Sequence, residues 1–119
     1  MNKVVTLKKN YEFKNVITNG NFFRGKNITI YIEKNNKNIN VIGIAVSKKT
    51  GKAVKRNKIK RIIRENYRLI NGNLKKGYNI VFLANKEIEI DKIMFFYSIK
   101  NEMYYIFKKL KMIKWKKLC

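Results

Sequence analysis

The stretch Val41–Ile70 leaves the chain few ways to fold. It opens on an apolar, β-branched run, Val41-Ile42-Gly43-Ile44-Ala45-Val46, that suits a buried strand. It continues into a segment whose apolar residues recur at helical spacing. On a helical wheel drawn from about Ala53 to Ile70, Ile59, Ile62, Ile63 and Ile70 fall on one side. Asn57, Lys58, Arg61, Arg64 and Arg68 fall on the other, with Arg56 and Lys60 towards the flanks. The pattern predicts a strand, a short loop through Thr50 and Gly51, and a helix with an apolar keel and a cationic deck.

The charge in this stretch is concentrated and selective. Ten basic residues lie between Lys48 and Arg68 against a single acid, Glu65. The chain carries 24 lysines and only five arginines, and four of the five are Arg56, Arg61, Arg64 and Arg68. Lysine offers a mobile, hydrated point charge; arginine offers a flat fork that grips phosphate through two parallel hydrogen bonds and stacks on bases. Lys48, Lys49 and Lys52 surround the predicted helix start, where backbone N–H groups and the helix dipole also attract anions. With a net charge of +22, the chain calls for a polyanionic partner, and nucleic acid is the first candidate.

The ordered run Val46-Ser47-Lys48-Lys49-x-Gly51-x-Ala53-Val54-x-Arg56-Asn57-x-Ile59-Lys60-Arg61-x-Ile63-Arg64 resembles the signature of the protein subunit of bacterial ribonuclease P. The flanks fit that family's layout, so the resemblance covers most of the chain. It implies a partner to a catalytic RNA that removes the 5′ leader of precursor tRNA with Mg2+ held by the RNA. The chain itself would bind no cofactor and no metal. Lys48, Lys49, Lys52, Arg56, Asn57, Lys60, Arg61, Arg64 and Arg68 would contact the RNA subunit. Phe13, Ile17 and Tyr31 would line a groove for the leader, with Ile17 standing where family members can carry a second aromatic. The resemblance also implies a left-handed strand–helix–strand crossover, against the right-handed default.

The rest of the chain reads as a small α+β sandwich in the order helix, strand, strand, helix, strand, helix around one mixed sheet. Residues 1–8 read as a flexible basic lead-in. Asn10 is positioned to cap a helix to about Thr18, residues 21–26 read as a loop, and Asn27–Glu33 with Ile39–Val46 read as a hairpin. Tyr78–Ala84 fits a buried strand, and Asp91 can cap a long helix to about Ile113. Residues 114–119 read as a second flexible tail. The length of 119 residues fits a single RNA-binding domain, with the pairing of the chain with itself left open.

Several chemistries are excluded by composition. With no His and one Cys, Cys119, the usual zinc constellations and a Cys–His nucleophile are absent. Of seven acids only Glu87, Glu89 and Asp91 cluster, in a connection where acids commonly complement a helix start. No apolar stretch reaches the roughly 18–20 residues of a membrane span, and the first residues lack an apolar signal core, so a cytoplasmic chain is expected. The remaining alternative on composition is another basic RNA-binding structural protein, such as a ribosomal one; a basic membrane-surface protein is disfavoured by the two apolar strands.

Overall fold

The computed structural model describes residues 4–85 and 92–114. Its elements are β1 (Val5–Thr6), α1 (Asn10–Asn19), β2 (Asn21–Arg24), β3 (Ile28–Lys34), β4 (Val41–Ala45), α2 (Ala53–Ile70), β5 (Tyr78–Ala84) and α3 (Lys92–Lys109). The strands form one mixed sheet in the order β1-β4-β5-β3-β2. β4 and β5 are parallel neighbours joined through α2, while β5–β3 and β3–β2 are antiparallel.

The sheet sorts its side chains by strand alternation. Ile28, Ile30 and Ile32 of β3, Ile42 of β4, and Ile80 and Phe82 of β5 point to one face. There they meet the keel of α2 (Ile59, Ile62, Ile63, Tyr67, Ile70) and the inner face of α3 (Phe95, Ile99, Met103, Ile106, Phe107). This is the main core. Phe82 sits at its centre, with Tyr67 and Phe107 packed edge-on against it at ring separations of 5.8 and 6.0 Å. Tyr67 is 1 % exposed and donates to Asn71 Oδ1 at 2.8 Å; burial pushes its hydroxyl up to about 12, so it stays a neutral donor. The opposite face carries α1 and a smaller cluster of Leu7, Val16, Val41 and Val81. The sandwich is thus sheet against α2 and α3, with α1 alone on the other side.

Five expectations change. Residues 21–26 are not all loop: β2 pairs with β3, and Gly25 N–H donates to the Ile28 carbonyl to close the turn. The hairpin is therefore β2–β3, not β3–β4. β5 inserts between β3 and β4 because its middle residues, Ile80, Val81 and Phe82, are apolar on both faces and need a neighbour on each side. The lead-in contributes β1, which pairs with β4, and Leu7 is buried beneath α1. α1 begins after Lys9, and Glu12 rather than Asn10 secures its start, accepting the Lys9 and Lys8 N–H groups at 2.9 and 3.2 Å. α3 stops at Lys109: Lys111 adopts φ 60° and Met112 N–H returns to the Phe107 carbonyl, a left-handed helix end. Ile113 then bridges to Leu74 instead of extending the helix. The expected Asp91 cap and the residues of the tail after Lys114 lie outside the described residues.

Side-chain bonds fasten α3 to the β2–β3 turn. The Glu102 carboxylate accepts the backbone N–H of Asn27 at 2.9 Å and of Ile28 at 2.6 Å. Asn85 reinforces the same corner, accepting from the Thr29 hydroxyl and donating to the Gly25 carbonyl. Removing Glu102 strands two half-buried donors, each worth about 1–3 kcal/mol when left unmade. Glu102→Ala is expected to lower unfolding stability in urea by about 2 kcal/mol; a loss below about 0.5 kcal/mol, the range of an ordinary surface substitution, would contradict the role.

Candidate nucleic-acid interface

α2 forms where the sequence places it, and its packing aims its charges. Ile59 and Ile63 are fully buried, so the helix cannot rotate about its axis without pulling isoleucine out of the core. That fixes Asn57, Lys58, Arg61 and Arg68 outward and exposed, with Arg56, Lys60 and Arg64 half-buried beside them. A shallow hollow of about 550 Å³ runs along this face between Val54, Asn57, Lys58, Lys60, Arg61 and Arg64. Among the described residues no carboxylate pairs with any of the four α2 arginines. Buried Arg56 Nε has no hydrogen-bond partner, and neither does Thr50 Oγ1.

The joint that precedes α2 is built from the predicted loop. Lys48, Lys49 and Thr50 form one turn of 3-10 helix, started by Ser47 Oγ accepting the Lys49 N–H at 3.1 Å. Gly51 follows at φ 156°, a conformation a side chain would strain. Lys52 then caps α2 through its backbone only, and no acid occupies the first turn. Lys48, Lys49 and Lys52 are all exposed here. The free N–H groups and the three lysines leave this end of the helix strongly electropositive.

The second set of predicted residues lies on the other face of the sheet. Gly43 of β4, Val81 of β5, Tyr31 of β3 and Phe22 of β2 are consecutive partners across the sheet and share that face. α1 lies over this row. The Phe13 ring rests directly on Gly43, where any Cβ would sit inside the ring's van der Waals surface. Phe13 and Tyr31 are both half-buried and pack against the same small cluster, whereas Ile17 is 37 % exposed and stands outside it. Phe22 was missed in the sequence because its segment read as loop. It is 59 % exposed, with its ring 5.4 Å from that of Tyr31 and tilted by 31°. The aromatic pair Phe22-Phe23 was the available signal, but four residues without alternation are too few to separate a strand from a turn.

The two sets meet. A cleft of about 230 Å³ is walled by Leu7, Phe13 and Gly43 on one side and by Lys60 and Arg64 of α2 on the other. The Phe13 ring and a cationic rim thus share one opening, a juxtaposition no linear spacing reveals, while Tyr31, Ile17 and Phe22 stand outside it. Among the described residues no group of three or more His, Cys, Asp or Glu side chains could hold a metal ion. Glu87, Glu89 and Asp91 lie outside the described residues.

A mixed α+β sheet fold with an arginine-rich helix beside a cleft that holds Phe13 defines a class of small, strongly basic α+β protein. The comparisons place the chain within it. The family model described as Ribonuclease P matches residues 1–111. A protein of Natranaerobius thermophilus named ribonuclease P protein component is 39 % identical over 114 residues, 95 % of this chain and 96 % of the relative. Among solved structures, the Staphylococcus aureus RNase P protein superposes with a TM-score of 0.76 at 30 % identity, covering 94 % of this chain and all of that one. The Thermotoga maritima RNase P protein gives 0.74 at 27 % identity, covering 84 % and 92 %. The chain belongs to the ribonuclease P protein family, whose members are subunits of an endoribonuclease.

The close seating of Phe13 on Gly43 generates a test of the cleft. Gly43→Ala is expected to displace the ring and cost about 1–3 kcal/mol of stability by overpacking, and Phe13→Leu in the same chain is expected to recover part of it. Additive losses in the double variant, measured by thermal unfolding, would show that the two residues do not touch.

Proposed function

We propose that this chain is the protein component of a ribonuclease P holoenzyme, binding both the catalytic RNA and the 5′ leader of precursor tRNA. The observation that carries the proposal is the α2 face: Arg61 and Arg68 exposed and Arg56 and Arg64 half-buried above a buried keel, without carboxylate partners among the described residues, with Lys60 and Arg64 bordering a cleft that holds Phe13. Lys48, Lys49, Lys52, Arg56, Asn57, Lys60, Arg61, Arg64 and Arg68 bind the RNA subunit. Their guanidinium and ammonium groups replace condensed counterions along closely spaced phosphates, so affinity falls steeply with salt. The half-buried Arg56 and Arg64 keep part of their fork in a drier setting, where a phosphate oxygen is held more strongly than in water.

The leader needs different chemistry, because its bases are unstacked. Phe13 and Tyr31, joined by Phe22, offer ring faces and apolar area to bases. Ile17 adds apolar contact at the margin of α1 but no ring. Lys60 and Arg64, at the mouth of the cleft, hold the leader backbone while belonging also to the α2 face. That shared position lets one protein bridge RNA subunit and substrate. Bond cleavage is left to Mg2+ ions bound by the RNA; this chain has no histidine to serve as a general base. The working compartment is the cytoplasm, and no helix of the described residues is long and apolar enough to cross a membrane.

Reconstitution tests the proposal. Precursor tRNA is expected to lose its leader when the chain is added to ribonuclease P RNA at low Mg2+, and to remain intact with the chain alone; cleavage by the RNA-free chain would overturn the division of labour. Within that assay, Arg61→Ala is expected to weaken assembly with the RNA subunit and to flatten its salt dependence by about one phosphate equivalent. An unchanged log–log slope would remove Arg61 from the interface. Tyr31→Ala is expected to weaken leader-bearing substrate by roughly 5- to 100-fold, the range of one lost base stack, and mature tRNA far less. Equal losses on both would take Tyr31 out of the leader groove.

A further inference from the structure

α3 presents a second aromatic surface that the α2 face and the leader cleft do not use. Tyr97, Asn101, Tyr104 and Lys108 recur at helical spacing along its outer side, and Tyr97 and Tyr104 are 53 % and 49 % exposed. Between this side of α3 and the C-terminal half of α2 lies a hollow of about 230 Å³. Asn66, Ile70 and Met103 form its buried floor; Leu69, Tyr104 and Lys100 form an exposed rim. Leu69, at 62 % exposure, is a large apolar side chain on the solvent side of a helix, immediately after Arg68 of the cationic face.

The floor is not satisfied in its own hydrogen bonding. Asn66 is 2 % exposed and its Nδ2 donates to the carbonyls of Ile62 and Phe96 at 3.1 and 3.2 Å. With both amide hydrogens committed, the orientation is fixed and Oδ1 is left buried without a partner. A buried acceptor in that state is costly unless something brings it a donor. The hollow is smaller than the roughly 300–1,000 Å³ of sites that enclose a whole drug-sized ligand, and its lining includes no acid.

We infer that the α2–α3 hollow is a site for one unpaired base of single-stranded RNA, stacked by Tyr104 with its phosphate on Lys100. A largely apolar floor of Ile70 and Met103 and a half-exposed ring suit a base face, and Lys100 on the rim suits its phosphate. The adjoining Arg68 makes this surface continuous with the cationic face of α2. Tyr97, seven residues and about 10 Å along the helix from Tyr104, offers a second ring to the same strand. The inference rests on the chain being an RNA-binding protein but on different residues from those assigned to assembly and leader binding.

The test is an NMR titration of the full chain with a ten-nucleotide oligoadenylate, against an RNA duplex of the same length. The single strand is expected to shift the Leu69 and Met103 methyl signals saturably, and the duplex to shift only signals of the Arg56–Arg64 stretch of α2, leaving Leu69 and Met103 in place. Tyr104→Ala and Lys100→Ala should each weaken oligoadenylate binding about tenfold, with Tyr104→Phe close to wild type. Shifts confined to the Arg56–Arg64 stretch, with Leu69 and Met103 unmoved, or wild-type affinity in both alanine variants, would overturn the inference while leaving the α2 assignment intact. Concentration-dependent methyl shifts without RNA would give the hollow to a second copy of the chain and equally overturn it. An oligoadenylate that shifts no signal at all overturns the inference, and the reconstitution assay alone then decides the proposed function.

Discussion

The burial of the α2 keel against the sheet is the contact on which everything else in this molecule depends. Ile59, Ile62, Ile63, Tyr67 and Ile70 join the main core with Ile42, Ile80 and Phe82. Each buried isoleucine contributes on the order of 2 kcal/mol of transfer free energy, more than any one exposed charge costs through repulsion in water. The apolar contacts therefore outweigh the crowding of like charges along the opposite side of the same helix. Rotating α2 by even one position would expose isoleucine and bury arginine, so the direction of the guanidinium groups is set by the core.

That arrangement has a thermodynamic consequence. A chain of net charge +22, whose α2 arginines have no carboxylate partner among the described residues, holds repulsion that seven acids cannot offset. A polyanion relieves it from outside, and whatever binds the folded state but not the unfolded one stabilises the fold by mass action. The cationic face is also rigid before binding: its side chains stand on an 18-residue helix, so little backbone ordering is required on association. The sheet row Gly43–Val81–Tyr31–Phe22 is rigid for a related reason, being hydrogen-bonded across four strands.

Much of this was legible in the sequence, and what was not has identifiable causes. α2 could be read in full because an 18-residue amphipathic period averages over many positions. β5 could be read because an almost continuous apolar run admits few other places. The pairing partners could not be read: β3 and β4 look like a hairpin along the chain, and only the two-faced apolarity of β5 displaces that pairing. β2 was hidden by its length of four residues, and with it Phe22. Phe13 was visible as a candidate, but its reason for being where it is, the missing side chain at Gly43, is a tertiary fact. The end of α3 was overestimated because Leu110 and Ile113 do reach the edge of the core, but through a left-handed turn at Lys111 rather than through a continuing helix.

The central claim is that the arginines of α2, and not positive charge in general, meet the RNA. Arg24, exposed on β2, is the fifth arginine and serves as an internal reference. Arginine-selective chemical modification of the chain, with and without ribonuclease P RNA and read residue by residue by mass spectrometry, tests the claim most directly. Arg56, Arg61, Arg64 and Arg68 should be protected by the RNA while Arg24 remains reactive. Equal protection of all five, or protection of Arg24 with the α2 arginines still reactive, would contradict the account.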